Sequence, residues 1–168
     1  DGSGTTTFSA NNTYTGTTSV KQGTLALSGT ASIATSSGVD VAAGATLDGS
    51  ALTSGTMSVQ SLTGANGAAV ILGANTLDLT NAGGTFAGII SGSGGVDVSG
   101  GTATFSGGNS YLGTTTVDEG ATLILSGSVA GGLVNNGTAS IGGTVAGATT
   151  NTAYLSAHNA TLHNITNT

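Results

Sequence analysis

Residues 8–20 read Phe8-Ser9-Ala10-Asn11-Asn12-Thr13-Tyr14-Thr15-Gly16-Thr17-Thr18-Ser19-Val20, and residues 105–117 read Phe105-Ser106-Gly107-Gly108-Asn109-Ser110-Tyr111-Leu112-Gly113-Thr114-Thr115-Thr116-Val117. The second stretch repeats the first at an offset of 97 residues. Both copies continue to a Gly and then to Leu-x-Leu-Ser-Gly, although one inserted residue raises the offset to 98. Repetition over this distance is typical of proteins that are built from stacked repeats.

Apolar residues alternate with other residues through most of the chain. Leu25 and Leu27 flank Ala26, and the same pattern recurs elsewhere. The other examples are Val39-Asp40-Val41, Met57-Ser58-Val59, Leu77-Asp78-Leu79, Val96-Asp97-Val98 and Leu123-Ile124-Leu125. Successive side chains of a strand point to opposite faces, so this period predicts short strands with an apolar inner face and solvated acids on the outer face.

These strands are separated by Gly, Asn or Ser at intervals of about 8 to 12 residues, a spacing that also fits a sandwich or a barrel. Three features favour a solenoid: the long-range repeat, an aromatic content of only 4%, and the lack of a regularly recurring hairpin signal. We therefore predict an all-β parallel β-helix with Gly at its corners. With about 20 residues per coil, the chain makes about eight coils and the offset between the two copies spans about five.

The composition excludes several functions for this chain of 168 residues, a length that predicts one domain. Charged residues make up 5%, Lys21 is the single cation, and the net charge is −6. Nucleic acids and anionic lipids need clustered Lys and Arg, so neither is an expected partner. The apolar runs, such as Ala68 to Leu72, are far shorter than the roughly 20 residues of a membrane span, so no membrane insertion is expected. With no Cys there are no disulfides or thiolate metal sites.

The stretch from Ser9 to Gly29 resembles the passenger-associated repeat of bacterial autotransporters, in which Asn-Thr-Tyr-Thr-Gly-x-Thr-x-Val precedes a Gly and Leu-x-Leu. Ser106 to Gly127 is similar, with Leu112 where the family has Thr. The resemblance implies a right-handed parallel β-helix at the cell surface or outside the cell, with residues 1–168 forming a single segment of a longer passenger. It also implies a structural role for the repeat positions, which are Tyr14, Gly16, Thr18, Val20, Gly23, Leu25, Tyr111, Gly113, Thr115, Val117, Gly120 and Leu123.

No pattern in the sequence predicts catalysis, so we expect a protein that is not an enzyme. Asp40 and Asp97 could stack on one face if their coils are in register, but an acidic or sugar substrate would find one Lys and no Trp to hold it. His158 and His163 are the only imidazoles and do not complete a zinc site, which needs three or four ligands. The Gly-rich stretches lack the strand-to-helix context and the Lys of a phosphate loop. We expect no cofactor and no metal.

Two kinds of non-catalytic function remain open. The first is a stalk, surface coat or self-associating adhesin, whose partner is another copy bound end to end or side by side, or the surface of a host or neighbouring cell. Ile71 and Ile124 lie at outward positions and are candidate lateral contacts. The second is a Thr-rich face that binds ice or a glycan, built from Thr5-Thr6-Thr7, Thr17-Thr18 and Thr114-Thr115-Thr116. No strict Thr-x-Thr recurs coil by coil, which favours the first.

Overall fold

The computed structural model describes residues 3–168, and these residues form strands, turns and bends without a helix. The strands are short, as the close spacing of Gly and Asn predicts. They are β1 (Thr5–Phe8), β2 (Thr18–Val20), β3 (Thr24–Gly29), β4 (Val39–Val41), β5 (Thr46–Leu52), β6 (Thr56–Val59), β7 (Leu62–Gly64), β8 (Ala69–Ile71), β9 (Thr76–Leu79), β10 (Thr85–Phe86), β11 (Ile89–Ser91), β12 (Val96–Val98), β13 (Thr102–Phe105), β14 (Gly108–Asn109), β15 (Thr115–Val117), β16 (Thr122–Leu125), β17 (Ser128–Val129), β18 (Leu133–Asn135), β19 (Thr138–Ile141), β20 (Thr144–Asn151), β21 (Tyr154–Ala157) and β22 (Thr161–Asn167).

The strands pair in parallel into three sheets that form the faces of a solenoid, and sheet 3 bends around a corner within β20. Sheet 1 has the order β1-β3-β5-β8-β11, and sheet 2 has the order β2-β4-β7-β10-β13-β16-β19-β21. Sheet 3 has the order β14-β17-β20-β18-β15-β12-β9-β6, and β22 pairs with β20. A coil passes through sheet 1, sheet 3 and sheet 2 in turn, as β5, β6 and β7 do. The prediction of an all-β parallel β-helix is confirmed, with about nine turns where the sequence suggested about eight.

The coils differ in length and become shorter towards the C-terminal end. The stretch of chain from Thr24 to its partner Thr46 is clearly longer than the stretch from Ser128 to its partner Thr144. In the coil that begins at Thr144, β20 runs as one continuous strand around a corner. Its first residues pair with β17 and its last residues with β18. The later coils therefore spend fewer residues on corners, and the coil length expected from the sequence holds only as an average.

Buried aliphatic side chains stack in columns from coil to coil and form the core. In sheet 1, Leu25 pairs with Leu47, which pairs with Val70. Leu47 and Val70 are fully buried. The inner face of sheet 2 carries the fully buried aromatic rings of Phe86 and Phe105, which are partners in adjacent strands. Each coil thus buries its apolar side chains against the coil before and the coil after it, which is how a solenoid makes a core from short strands.

One interior column changes from aliphatic to amide side chains near the C-terminal end. Val117 pairs with Asn135, Asn135 with Asn151, and Asn151 with Asn167. The Asn135 amide donates to Oδ1 of Asn151 at 2.7 Å, and the Asn151 amide donates to Oδ1 of Asn167 at 3.2 Å. Stacked amides bond one another at the strand spacing of a parallel sheet, so this column is linked from coil to coil. The buried Oδ1 of Asn135 has no hydrogen-bond partner among residues 3–168.

Two corners of the solenoid are lined by columns of glycine. A Cβ on Gly127 would overlap the carbonyl oxygen of Gly107, and a Cβ on Gly143 would overlap that of Gly127. At the next corner, a Cβ on Gly131 would overlap the carbonyl oxygen of Gly113. Neighbouring coils therefore approach backbone to backbone at these corners, which only residues without a side chain allow.

Candidate functional site

The two repeat copies have the same local structure around their Tyr and Asn side chains. The Tyr14 hydroxyl lies 2.7 Å from Oγ1 of Thr18, and the Tyr111 hydroxyl lies 2.5 Å from Oγ1 of Thr115. The Asn two residues before each Tyr donates its side-chain amide to the carbonyl oxygen two residues before itself, Ala10 in one copy and Gly107 in the other. The repeat thus encodes one corner of a coil, closed by two side-chain hydrogen bonds.

The remaining repeat positions complete this unit. Val20 and Val117 are buried at the ends of β2 and β15, and Leu25 and Leu123 are buried in the strands that follow. Gly23 and Gly120 turn the chain between those strands with φ of +67° and +81°, a backbone region that favours glycine. Gly16 and Gly113 lie two residues before Thr18 and Thr115, whose side chains point inward.

The two copies occupy different faces of the solenoid. The first runs from β1 in sheet 1 through β2 in sheet 2 to β3 in sheet 1. The second runs from β13 in sheet 2 through β15 in sheet 3 to β16 in sheet 2. The offset between the copies is therefore close to the expected five coils but is not a whole number of them. The repeat fixes a local strand–corner–strand unit and leaves open which face carries it.

Thr18 and Thr115 point inward, so these two members of the threonine runs do not belong to a surface, whereas Thr5, Thr6 and Thr7 are exposed. Thr115 has 0% of its side chain exposed and Thr18 has 9%. Outward threonines instead align in sheet 2, in columns that the sequence did not predict. Thr85 pairs with Thr104, and Thr102, Thr122 and Thr138 are partners in three successive strands. In the neighbouring column of the same strands, Thr104 is followed by Ile124 and Ser140, so the threonines do not continue there.

The acids do not stack as the sequence suggested. Asp40 lies in sheet 2 between Ser19 and Thr63, whereas Asp97 lies in sheet 3, so these two do not share a face. Asp97 instead pairs with Asp78 in the adjacent strand. Asp97 is also not fully solvated, because its Oδ1 is buried without a hydrogen-bond partner among residues 3–168. Burial raises its pKa above the ordinary 3.8, and the negative charges of Asp118 and Asp78 raise it further.

Several large apolar side chains are exposed, and they are spread over all three sheets and the corners; they are Tyr14, Ile71, Ile89, Leu112, Ile124, Tyr154 and Ile165. Ile71 and Ile124 are 36% and 39% exposed, but they lie in sheet 1 and sheet 2 respectively and share no face. Ile89, which the sequence analysis missed, is 50% exposed in the strand next to Ile71. Since Ile89 pairs with Ala69 and Ile71 pairs with Ser91, the two isoleucines are diagonal neighbours on the outer face of sheet 1. Leu112, at a corner, is exposed as well.

His158 and His163 are exposed and lie in separate strand regions, with Asn159 at a φ of +54° between them. Among residues 3–168, no three His, Cys, Asp or Glu side chains converge in a way that could hold a metal ion. The same residues include no helix with the length and hydrophobicity for crossing a membrane.

The model of the passenger-associated-transport-repeat family matches residues 1–27 and residues 99–125. These two segments of the chain are similar to passenger-associated transport repeats. They coincide with the two Tyr-containing corners, which confirms the resemblance seen in the sequence, and the parallel β-solenoid is consistent with an autotransporter passenger repeat. Searches of curated proteins and of solved structures found no match.

The hydroxyl pair within each passenger-associated transport repeat leads to a prediction. Tyr111 is fully buried, and burial raises its pKa well above the usual value, although the bond to Thr115 acts in the opposite direction. Tyr111→Phe leaves the buried Thr115 hydroxyl without this partner and is expected to destabilise the fold by about 1–2 kcal/mol. Tyr14→Phe is the matched control, because Tyr14 is 38% exposed and Thr18 keeps a second partner in Ser36 at 2.9 Å. Denaturant melts measure both, and equal losses would contradict the assignment.

Proposed function

We propose that this chain is a non-catalytic segment of an autotransporter passenger, displayed at the bacterial cell surface, which acts as a self-associating stalk. The observation that carries the proposal is the presence of two passenger-associated transport repeats in one continuous β-solenoid. Passengers of this kind are exported, and a rod of about nine coils extends roughly 40 Å along its axis at the strand spacing of a sheet.

The distribution of reactive groups supports a role without catalysis. No Lys or His side chain lies beside Asp78 and Asp97 among the described residues, 3 to 168. Lys21 follows β2 in sheet 2, and His158 follows β21. His163 lies in β22 at the end of sheet 3, four strands away from Asp97. A surface depression near the first coils is lined by Thr5, Ser19 and Lys21 and has no carboxylate or imidazole in its lining. Acid–base catalysis needs an acid and a base within reach of one substrate, and these residues do not supply that pair.

Association between rods is supported by the surface of sheet 1. Ile71 and Ile89 form an exposed apolar pair on a flat parallel sheet, and the outward neighbours of Ile71 in register are Asp48 and Ser91. With 5% charged residues and a net charge of −6, mutual repulsion between copies is weak for most of the surface. Two such faces can bury their isoleucines against each other side by side. End-to-end contact would instead use the strand edges of the outermost coils.

We expect the purified chain to associate as its concentration increases. The double variant Ile71→Lys, Ile89→Lys should have an association constant roughly tenfold lower, because two apolar contacts between copies are replaced by like charges. Ile124→Lys is the control, because the same change on sheet 2 leaves sheet 1 intact. Light scattering over a concentration series measures the effect, and electron microscopy distinguishes side-by-side from end-to-end contact. A wild-type chain that stays monomeric at high concentration would reject the proposal.

The threonine columns of sheet 2 favour a second candidate function, the binding of ice or of a glycan. Thr102, Thr122 and Thr138 present hydroxyl and methyl groups at the regular spacing of a parallel sheet. The columns are short, and Ile124 and Ser140 interrupt the adjacent one. Thermal hysteresis of a solution of the protein, or its retention on insoluble polysaccharide, distinguishes this candidate from a plain stalk.

A further inference from the structure

A row of acidic side chains crosses sheet 3. Asp78 in β9 and Asp97 in β12 are direct partners in the parallel register, so their side chains point outward one strand spacing apart. The row continues to Ser58 on one side and to Thr116 on the other. Asp118 follows β15 immediately, and its charge acts on Asp97. Like charges that lie directly opposite one another on neighbouring strands destabilise a sheet.

The two central carboxylates differ in their hydrogen bonds. Asp78 accepts a hydrogen bond from the Ser58 hydroxyl at 3.1 Å and another from the Ser99 hydroxyl. Asp97 has one oxygen, Oδ1, that is buried and without a partner within residues 3–168. A buried carboxylate oxygen without a donor is unfavourable when the group is ionised, and less so when it carries a proton. Protonation of the row is therefore centred on Asp97.

No cation offsets this row in the described part of the chain. The strands that flank β12 are β9 and β15, and the charged groups they bring to Asp97 are Asp78 and, just beyond β15, Asp118 and Glu119. Lys21 lies next to β2 in sheet 2, and His158 and His163 lie in the last two coils. All charges near Asp97 therefore have the same sign.

We propose that the row of Asp78, Asp97 and Asp118 makes the solenoid acid-responsive, so that its middle coils are loosened by repulsion at neutral pH and tightened when the surroundings become acidic. The inference concerns the stability of the rod and does not depend on the proposed self-association. An exported rod with this row holds its middle coils most firmly in acidic surroundings.

The direction of the effect follows from proton linkage. The pKa of Asp97 in the folded chain is raised above the ordinary value of 3.8, so the folded state binds the proton more tightly than the unfolded chain does. The free energy of unfolding therefore increases as the pH falls through the folded pKa towards 3.8, and decreases again as the pH rises towards 7. Screening by salt weakens the repulsion between the carboxylates, so high ionic strength at pH 7 should also increase the free energy of unfolding, as acid does.

The test is a series of thermal melts between pH 7 and pH 4.5. For the wild type we expect Tm to increase by a few °C as the pH falls, because the folded state binds the proton of Asp97 more tightly than the unfolded chain does. Asp97→Asn, and independently Asp97→Ser, should raise Tm at pH 7 and remove most of the pH dependence. Asp40→Asn is the matched control, because Asp40 is an outward aspartate between Ser19 and Thr63 and should keep the wild-type pH dependence.

Hydrogen exchange locates the effect along the chain. The amides of β9, β12 and β15 should gain protection on acidification, after correction for the intrinsic pH dependence of exchange, whereas those of β3 and β4 should not. A wild-type Tm that stays level or decreases from pH 7 to pH 4.5 would overturn the proposal. The same conclusion would follow if both Asp97 variants kept the full pH dependence.

Discussion

Leu123→Asp is expected to abolish folding of the coils around β16. Leu123 has 0% of its side chain exposed and lies between Ala103 and Ala139 on the inner face of sheet 2. A carboxylate at this position is buried without a cation, which costs several kcal/mol and approaches the whole stability of a typical domain. Circular dichroism should show loss of the β signal, or a melting temperature lowered by more than about 10 °C.

Ile124→Asp is the matched control for this substitution. Ile124 is the next residue in the same strand, but its side chain is 39% exposed and points outward. The same change of charge and volume should therefore alter stability by less than about 1 kcal/mol. Comparable losses in both variants would mean that the inward and outward positions of sheet 2 are wrongly assigned.

Leu25→Asp should act in the same direction but over a shorter length of the rod. Leu25 is 7% exposed and lies in β3, close to the first described coil. In a solenoid each coil contacts only its neighbours, so damage near one end opens the coils there and leaves distant coils folded. Partial loss of the β signal is therefore expected, in contrast to the effect of Leu123→Asp in the middle of the stack.

The inner faces of the strands could be predicted from the sequence because alternation is a property of each strand alone. Leu77, Leu79 and Val98 are buried as their period of two requires. The face on which a strand lies could not be predicted in this way, because all three faces use the same alternation. The number of residues at each corner also varies, so no single coil length assigns every strand to its partner.

The same limit explains what the sequence missed on the surface. Asp78 and Asp97 are partners because of the length of the coil that joins β9 to β12. The coils that join Leu25 to Leu47 and Leu47 to Val70 differ in length by one residue, yet all three side chains are buried. The corners therefore absorb such differences, and the partner of an outward acid cannot be predicted from a single coil length. The position of Ile71 beside Ile89 depends on the register of β8 and β11 in the same way. The local motifs could be recognised in the sequence, whereas the contacts between coils could be predicted only if the number of residues at each corner were known.

Gly113→Ala is expected to destabilise the chain by about 3 kcal/mol, which lowers Tm by roughly 6–12 °C. An added Cβ would lie 2.5 Å from the carbonyl carbon and oxygen of Gly94, and 2.7 Å from the nitrogen of Gly95. All three are backbone atoms of the preceding coil, so the overlap can be relieved only by separating two coils and stretching their hydrogen bonds. One of these joins the Gly113 amide to the Gly94 carbonyl at 3.0 Å.

Gly16→Ala provides the comparison, because Gly16 is the same position in the first passenger-associated transport repeat. No atom lies within 4 Å of its added Cβ, and its φ is outside the left-handed region. Alanine there should leave stability unchanged or raise it by about 0.5 kcal/mol, since it restricts the unfolded chain without a clash. Thermal melts of the two variants therefore separate two reasons for a glycine at one repeat position. If both variants had the Tm of the wild type, the close approach of coils at the Gly94–Gly113–Gly131 corner would be refuted. If both variants were equally destabilised, the glycine would be required by the conformation of the local corner and not by contact with the neighbouring coil.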